Sequence, residues 1–308
     1  MNNHRIVFMG SPKIASEYLK VLVQNNLNII SVYTQPPRPK GRGMSIQNSF
    51  VHDEALKQSI PVYHPENFND LKTLEIFIKL KPDLVVVMAY GKLLPKEILQ
   101  CPKYSCINIH LSLLPHWRGA APIEHTLLNG EKETGVTIFQ LNNKLDAGSI
   151  ISQTSMSIDE SLNKGELFQK LNNMGKQLII KTLSDYFNNK IILKKQNEEK
   201  ATYASKITSD MTKINFSENV TNVFNQIRAF SPKPGAWFLY QNERIKIISC
   251  SKIINKSIAS TIINERFHIG CKGGAIAPII IQREGKKSME INDFLRGFQF
   301  SVGQIVNA

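Results

Sequence analysis

The run Leu84-Val85-Val86-Val87-Met88-Ala89 places the tightest constraint on what this chain can fold into. An uninterrupted apolar stretch cannot alternate between core and solvent, so it reads as a strand covered on both faces. Strands of that kind belong to parallel sheets flanked by helices. The surrounding pattern agrees. Residues 5–9, 29–33 and 107–109 are short apolar strand candidates, and 135–140 alternates like a further strand. Between the first two, Ile14, Ala15, Tyr18, Leu19, Leu22 and Val23 recur at helical spacing after the turn Gly10-Ser11-Pro12. That turn is not a dinucleotide fingerprint, because the GxGxxG glycines are missing. Strand–helix alternation predicts an α/β class with an open, mostly parallel sheet. Ligands of such sheets sit beyond the C-terminal strand ends, so Gly10, Tyr90-Gly91 and the loop after His110 should line one crevice.

The texture changes along the chain. Residues 161–188 carry a helical pattern (Leu162, Leu167, Leu171, Met174, Leu178, Ile179, Leu183), and 188–205 is rich in Asn, Lys, Gln and Glu, which reads as a linker. Beyond it, short strand candidates at 237–240, 245–248, 267–269 and 279–281 suggest a small β-barrel of the oligonucleotide-binding type. The expected division is therefore 1–187, a linker at 188–205, and 206–308; 308 residues are ample for two domains. Formal net charge is +13, and residues 206–308 hold 14 Lys and Arg against 7 Asp and Glu. Such an excess favours a polyanionic partner, or reflects a basic proteome without a binding role. No apolar run approaches the roughly 20 residues that span a bilayer, and the N-terminal segment does not resemble a signal peptide, so a cytoplasmic protein without a membrane partner is expected. Cys101, Cys106, Cys250 and Cys271 form no CxxC pair and should be free.

The chemistry concentrates at Asn108 and His110. Residues two apart on a strand share a face, so an amide donor and a proton acceptor point the same way. The pair is either hydrogen-bonded within the sheet or poised for attack of an amine on an acyl carbon. Asp146, in Leu145-Asp146-Ala147-Gly148, is a candidate third member. One His and one Asp are too few ligands for a metal, and none is expected. The stretch Thr34-Gln35-Pro36-Pro37-Arg38-Pro39-Lys40-Gly41-Arg42-Gly43 has three prolines and two glycines, which argue against regular structure. It is either a solvated basic loop or a finger that meets phosphates through Arg38, Lys40 and Arg42. In residues 227–237, Arg228 and Lys233 are further phosphate candidates, while Phe230 and Trp237 suit a core.

The run from Cys106 to Ile151, which contains Asn-Ile-His and Leu-Asp-Ala-Gly, resembles the folate-dependent formyltransferases. FMGSP, TQPPRPKGRG, PVYHPEN, VVVMAYGKLLP and IRAFSPKPGAWF extend the resemblance over nearly the whole chain, to the branch that acts on charged initiator tRNA. The resemblance implies a Rossmann-like catalytic domain joined to an OB-like, tRNA-binding β-barrel. It also implies transfer of the formyl group of 10-formyltetrahydrofolate to the α-amino group of methionine on initiator methionyl-tRNA, by a monomer. Catalysis would fall to Asn108, His110 and Asp146. Folate would lie near Met88, Tyr90, Gly91, Ser112, Leu113, Leu114 and Pro115, held by backbone polar groups, and Arg42 would be the leading tRNA contact of its loop. Three positions depart from the pattern: Leu111 replaces an expected Gly, Ile14 an expected Phe, and Met44-Ser45 expected lysines. A sugar-nucleotide or glycinamide-ribonucleotide acceptor, and a non-catalytic RNA-binding protein, are the competing readings. The basic loop and basic last third disfavour the first; the intact Asn108, His110 and Asp146 disfavour the second.

Overall fold

A computed structural model describes residues 3–40 and 44–307. The chain forms β1 (Ile6–Gly10), α1 (Lys13–Gln24), β2 (Ile29–Tyr33), β3 (Arg38–Lys40), β4 (Ser45–Gln47), α2 (Phe50–Lys57), β5 (Val62–Tyr63), α3 (Leu71–Lys79), β6 (Leu84–Met88), α4 (Lys96–Gln100) and β7 (Cys106–His110). There follow β8 (Arg118–Gly119), α5 (Pro122–Leu128), β9 (Glu133–Gln140), β10 (Ile150–Ser157) and α6 (Lys164–Phe187). The last elements are β11 (Tyr203–Ala204), α7 (Val220–Phe230), β12 (Ala236–Tyr240), β13 (Glu243–Ile253), β14 (Ile269–Cys271), β15 (Gly274–Arg283), β16 (Met289–Glu290) and α8 (Ile291–Gly297). They group into two compact units, one of residues 1–118, 135–155 and 171–202, the other of 119–134, 156–170 and 203–308.

The first unit is built on a seven-stranded sheet in the order β10-β9-β7-β6-β1-β2-β5. β5, β2, β1, β6 and β7 run parallel, and β9 pairs antiparallel with β7. All five residues of β1 and of β6 are buried, as an apolar run without alternation requires. α1 packs Ala15, Tyr18, Leu19 and Leu22 inward. Ser49 and Asp70 cap α2 and α3 by accepting from the His52 and Thr73 amides. The loop after β2 departs from expectation: Arg38–Lys40 pairs antiparallel with Ser45–Gln47. Pro39 faces Ile46 in this two-stranded ribbon, where an edge strand tolerates a missing N–H donor.

The second unit holds an antiparallel sheet, β12-β13-β15-β14 with β16 on β15, and is barrel-like. Register shifts at Ile247–Ser249 and Ser249–Cys250 bend β13. α7 supplies Val220, Val223, Ile227 and Phe230 to a core shared with Phe238, Ile245, Ile247, Phe267 and Ile276. The four cysteines are free. Among the described residues, no helix is long and apolar enough to cross a membrane.

Candidate active site

β7 delivers Asn108 and His110 to the C-terminal edge of the sheet. Asn108 lies opposite Phe139 on β9 and opposite Val87 on β6, and His110 lies opposite Thr137. His110 is 6% exposed and meets the Phe139 ring edge-on at 6.4 Å. Its Nε2 lies 2.8 Å from the Trp117 carbonyl oxygen. A carbonyl can only accept, so Nε2 carries the proton in the neutral ring and Nδ1 is left to exchange one. Nδ1 faces the Asp146 carboxylate at 3.8 Å, with both side chains nearly buried. That separation exceeds a hydrogen bond but leaves the carboxylate well placed to stabilise an imidazolium. The structure thus brings His110 and Asp146 together and puts Asn108 on the same strand face.

Both partners of the imidazole sit in left-handed backbone conformations, Trp117 at φ 60° and Asp146 at φ 48°. Asp tolerates this region; Trp rarely does, and such residues persist where surrounding contacts impose them. Leu111, by contrast, is buried, and the left-handed turns of its loop fall at Trp117 and Gly119. No glycine is needed at 111. The Asp146 loop does need one at 148, where a Cβ would come within 1.7 Å of the Gln140 carbonyl oxygen.

The loop after His110 forms a braced shelf. Thr137 Oγ1 donates to the Ser112 carbonyl at 2.6 Å and accepts from the Leu114 amide at 3.1 Å. Gln153 Nε2 donates to Thr137 Oγ1 and to the Leu114 carbonyl, and Ser112 Oγ donates to the His116 carbonyl. Ser112 and Leu114 are buried, while Leu113 and Pro115 are half-buried. At the end of β6, Met88 and Tyr90 are buried, with Tyr90 packed against Phe68 in a cluster with Tyr33 and Phe77. Ala89 (φ 50°) and Gly91 (φ 76°) lie at the surface instead. Their exposed backbone is the part of residues 88–91 able to meet a ligand.

Pattern reading missed Gln196, Thr202 and the Trp117 carbonyl. Arg118, 1% exposed, donates through Nε and Nη2 to Gln196 Oε1 and forms a bidentate pair with Glu198 at 3.0 and 2.9 Å. These bonds hold the Glu198 carboxyl below its ordinary range. Gln196 Nε2 donates to the carbonyls of Asp146 and Gly148, both at 2.8 Å. Nothing in the sequence marked these residues; the burial of Arg118, which reveals them because a buried cation requires partners, is visible only in the fold.

The phosphate candidates separate. Arg38 and Lys233 are exposed, and Arg42 lies outside the described residues, as does the side chain of Lys40. Arg228 is corrected: it is 6% exposed, with Nε donating to Asn225 Oδ1 and Nη1 to the Glu160 carbonyl. It is a packing cation, because the helical spacing of α7 turns it inward. Trp237 is half-buried, donates Nε1–H to Thr212 Oγ1, and carries the Arg244 guanidinium 3.7 Å from its ring centre.

Residues 4–183 match the formyl transferase family model, and 206–299 match the formyl transferase C-terminal domain. A methionyl-tRNA formyltransferase from Wolbachia pipientis is 42% identical over 298 residues, covering 97% of this chain and 98% of that protein. The protein of that name from Bacillus subtilis is 38% identical over 308 residues, covering 98% and 97%. Among solved structures, an N-formyltransferase from Helicobacter canadensis, complexed with folinic acid and dTDP-3-aminofucose, superposes with a TM-score of 0.67 at 26% identity, over 90% of this chain and 98% of that one. A sugar 3N-formyl transferase shares the fold, with a TM-score of 0.68 at 24% identity over 92% and 99%. The chain belongs to the formyl transferase family, in the branch of the methionyl-tRNA formyltransferases.

Proposed function

We propose that this enzyme moves the formyl group of 10-formyltetrahydrofolate to the methionine α-amino group of initiator methionyl-tRNA, giving N-formylmethionyl-tRNA in the cytoplasm. The observation that carries the reading is the imidazole held by Trp117 on one nitrogen and faced by Asp146 on the other. The donor supplies an electrophilic formyl carbon. Exposed backbone at Ala89 and Gly91, one strand from Asn108, suits a flat polar heterocycle, and the braced shelf at 111–115 suits its apolar side. His110 Nδ1 takes the proton released by the attacking amine, and Asp146 balances the charge on the ring. The same proton passes to N10 of the folate as the tetrahedral adduct collapses, the bond from the formyl carbon to N10 breaks and tetrahydrofolate leaves. The Asn108 amide donates to the formyl oxygen as it gains charge. Residues 188–202 belong to the first compact unit, and the basic C-terminal domain follows them. Arg38, Lys40, Arg42 and Lys233 contact phosphate.

Supplying 10-formyltetrahydrofolate with charged initiator tRNA and following the label tests this reading. Formylated methionyl-tRNA is the expected product; transfer only to an amino sugar nucleotide would overturn the acceptor. Arg42→Ala should weaken tRNA binding and flatten the salt dependence by about one unit of slope, leaving folate binding unchanged. An unaltered salt slope would remove Arg42 from the interface.

A further inference from the structure

We propose that Gln196 is a positioning residue for catalysis, fixing Asp146 against His110 from within the segment that follows α6. Its side chain is spent in full. Nε2 donates both protons to one loop, through the carbonyls of Asp146 and Gly148, and Oε1 receives Nε and Nη2 of Arg118. A glutamine is the one residue of this length that both donates twice and accepts at its tip. Arg118 follows Trp117 directly, so one amide ties together the two loops that face the two imidazole nitrogens.

The same segment secures Trp117 a second time. Thr202 Oγ1 accepts from the Trp117 amide at 2.8 Å, the Thr202 amide donates to the Pro115 carbonyl, and the Arg118 amide donates to the Thr202 carbonyl. Trp117 and Asp146 are the left-handed non-glycine residues of these two loops, and each is gripped by residues 196–202. Left-handed backbone at a non-glycine residue relaxes unless held, so the grip sets where the Trp117 oxygen and the Asp146 carboxylate stand. The Nδ1–Asp146 distance is therefore imposed from about fifty residues away in sequence, by a segment with no periodic signal.

The inference rests on the formyl-transfer reading for its kinetic arm only. Gln196→Glu keeps the length and the acceptor for Arg118 but sets a carboxylate oxygen against two carbonyls. We expect kcat to fall by about tenfold or more, as for other groups that orient a catalytic ligand. The KM values for tRNA and folate donor should stay within about twofold. Amide hydrogen exchange should quicken in residues 142–149 with the rest of the protein unchanged. Because a protonated glutamate regains one donor, the variant's deficit relative to wild type should narrow as pH falls. Gln196→Ala, which leaves no repulsive oxygen, should quicken exchange in residues 142–149 and also around Arg118, which loses its acceptor, with a kcat loss that does not depend on pH. Wild-type kcat in both variants, or a kcat loss matched by faster exchange throughout the protein, would overturn the proposal. If the wild type transfers no formyl group, the functional reading fails, and the exchange measurement still decides whether Gln196 holds the Asp146 loop.

Discussion

β7 and residues 191–200 reach the same imidazole by opposite physical means. In β7 every residue but Asn108 is buried, and the strand is clamped between β6 and β9. In residues 191–200, Ile191 and Gln196 are half-buried and every other residue is exposed. The strand owes its place to packing, which fixes His110 along with the core. The segment owes its place to a few directed hydrogen bonds: those of Gln196, Thr202 and Arg118, and the two that the Lys194 backbone exchanges with Ile150. Packing is strong and diffuse; hydrogen bonds contribute little net stability but specify geometry. The site combines the two, with a rigid base on the sheet and its charged partner set by the segment.

The largest expected effect falls on the packed side. Phe139 is fully buried on β9, lies opposite Asn108 and touches the His110 ring. Phe139→Ala should lower unfolding stability by about 3–5 kcal/mol, measured by urea denaturation. A loss below about 1 kcal/mol would mean that packing does not hold the strand. His110→Ala comes next. Turnover should drop by on the order of a hundredfold, about 2.7 kcal/mol of barrier, with tRNA binding retained. Turnover near wild type would move the proton carrier elsewhere.

The contrast also explains what could be read from the chain. The apolar run at 84–89 and the spacing of Asn108 and His110 encode burial and facing locally, so β6, β7 and the strand-borne residues were legible. Two boundaries in the second unit were not: the candidate strands at 245–248 and 279–281 extend to the eleven and ten residues of β13 and β15. Polar and small residues such as Ser249, Ser251 and Gly274 pair in that ladder through their backbone, which side-chain periodicity does not report. Residues 34–43 misled for a related reason, since proline content says nothing of a partner strand at 45–47. Arg228 looked like a surface cation until α7 turned it inward. Gln196 was invisible because its role consists of contacts some fifty and eighty residues away, inside a stretch whose composition reads as linker.

A smaller effect tests the hydrogen-bonded side. Thr202→Val keeps the side-chain shape and removes the acceptor for the Trp117 amide. Stability should fall by about 1 kcal/mol, the typical net worth of one such bond. The kcat should fall further than that stability loss accounts for, because the Trp117 oxygen holds His110 Nε2. Equal stability losses in Thr202→Val and Phe139→Ala would erase the distinction between the two regions.

The smallest effect is expected at Ile192, 91% exposed in the same segment. Ile192→Ser should change stability by less than about 0.5 kcal/mol and leave kcat unaltered. If the segment were held by apolar contact, this substitution would be costly; if it is held by Gln196 and Thr202, it is silent. A measured loss near 1 kcal/mol would show that residues 191–193 are held by apolar packing within the first unit, as β7 is. A silent result beside an impaired Gln196→Glu would locate the segment's whole contribution in polar atoms, where a change of one atom, amide nitrogen to carboxylate oxygen, matters more than the loss of an apolar side chain.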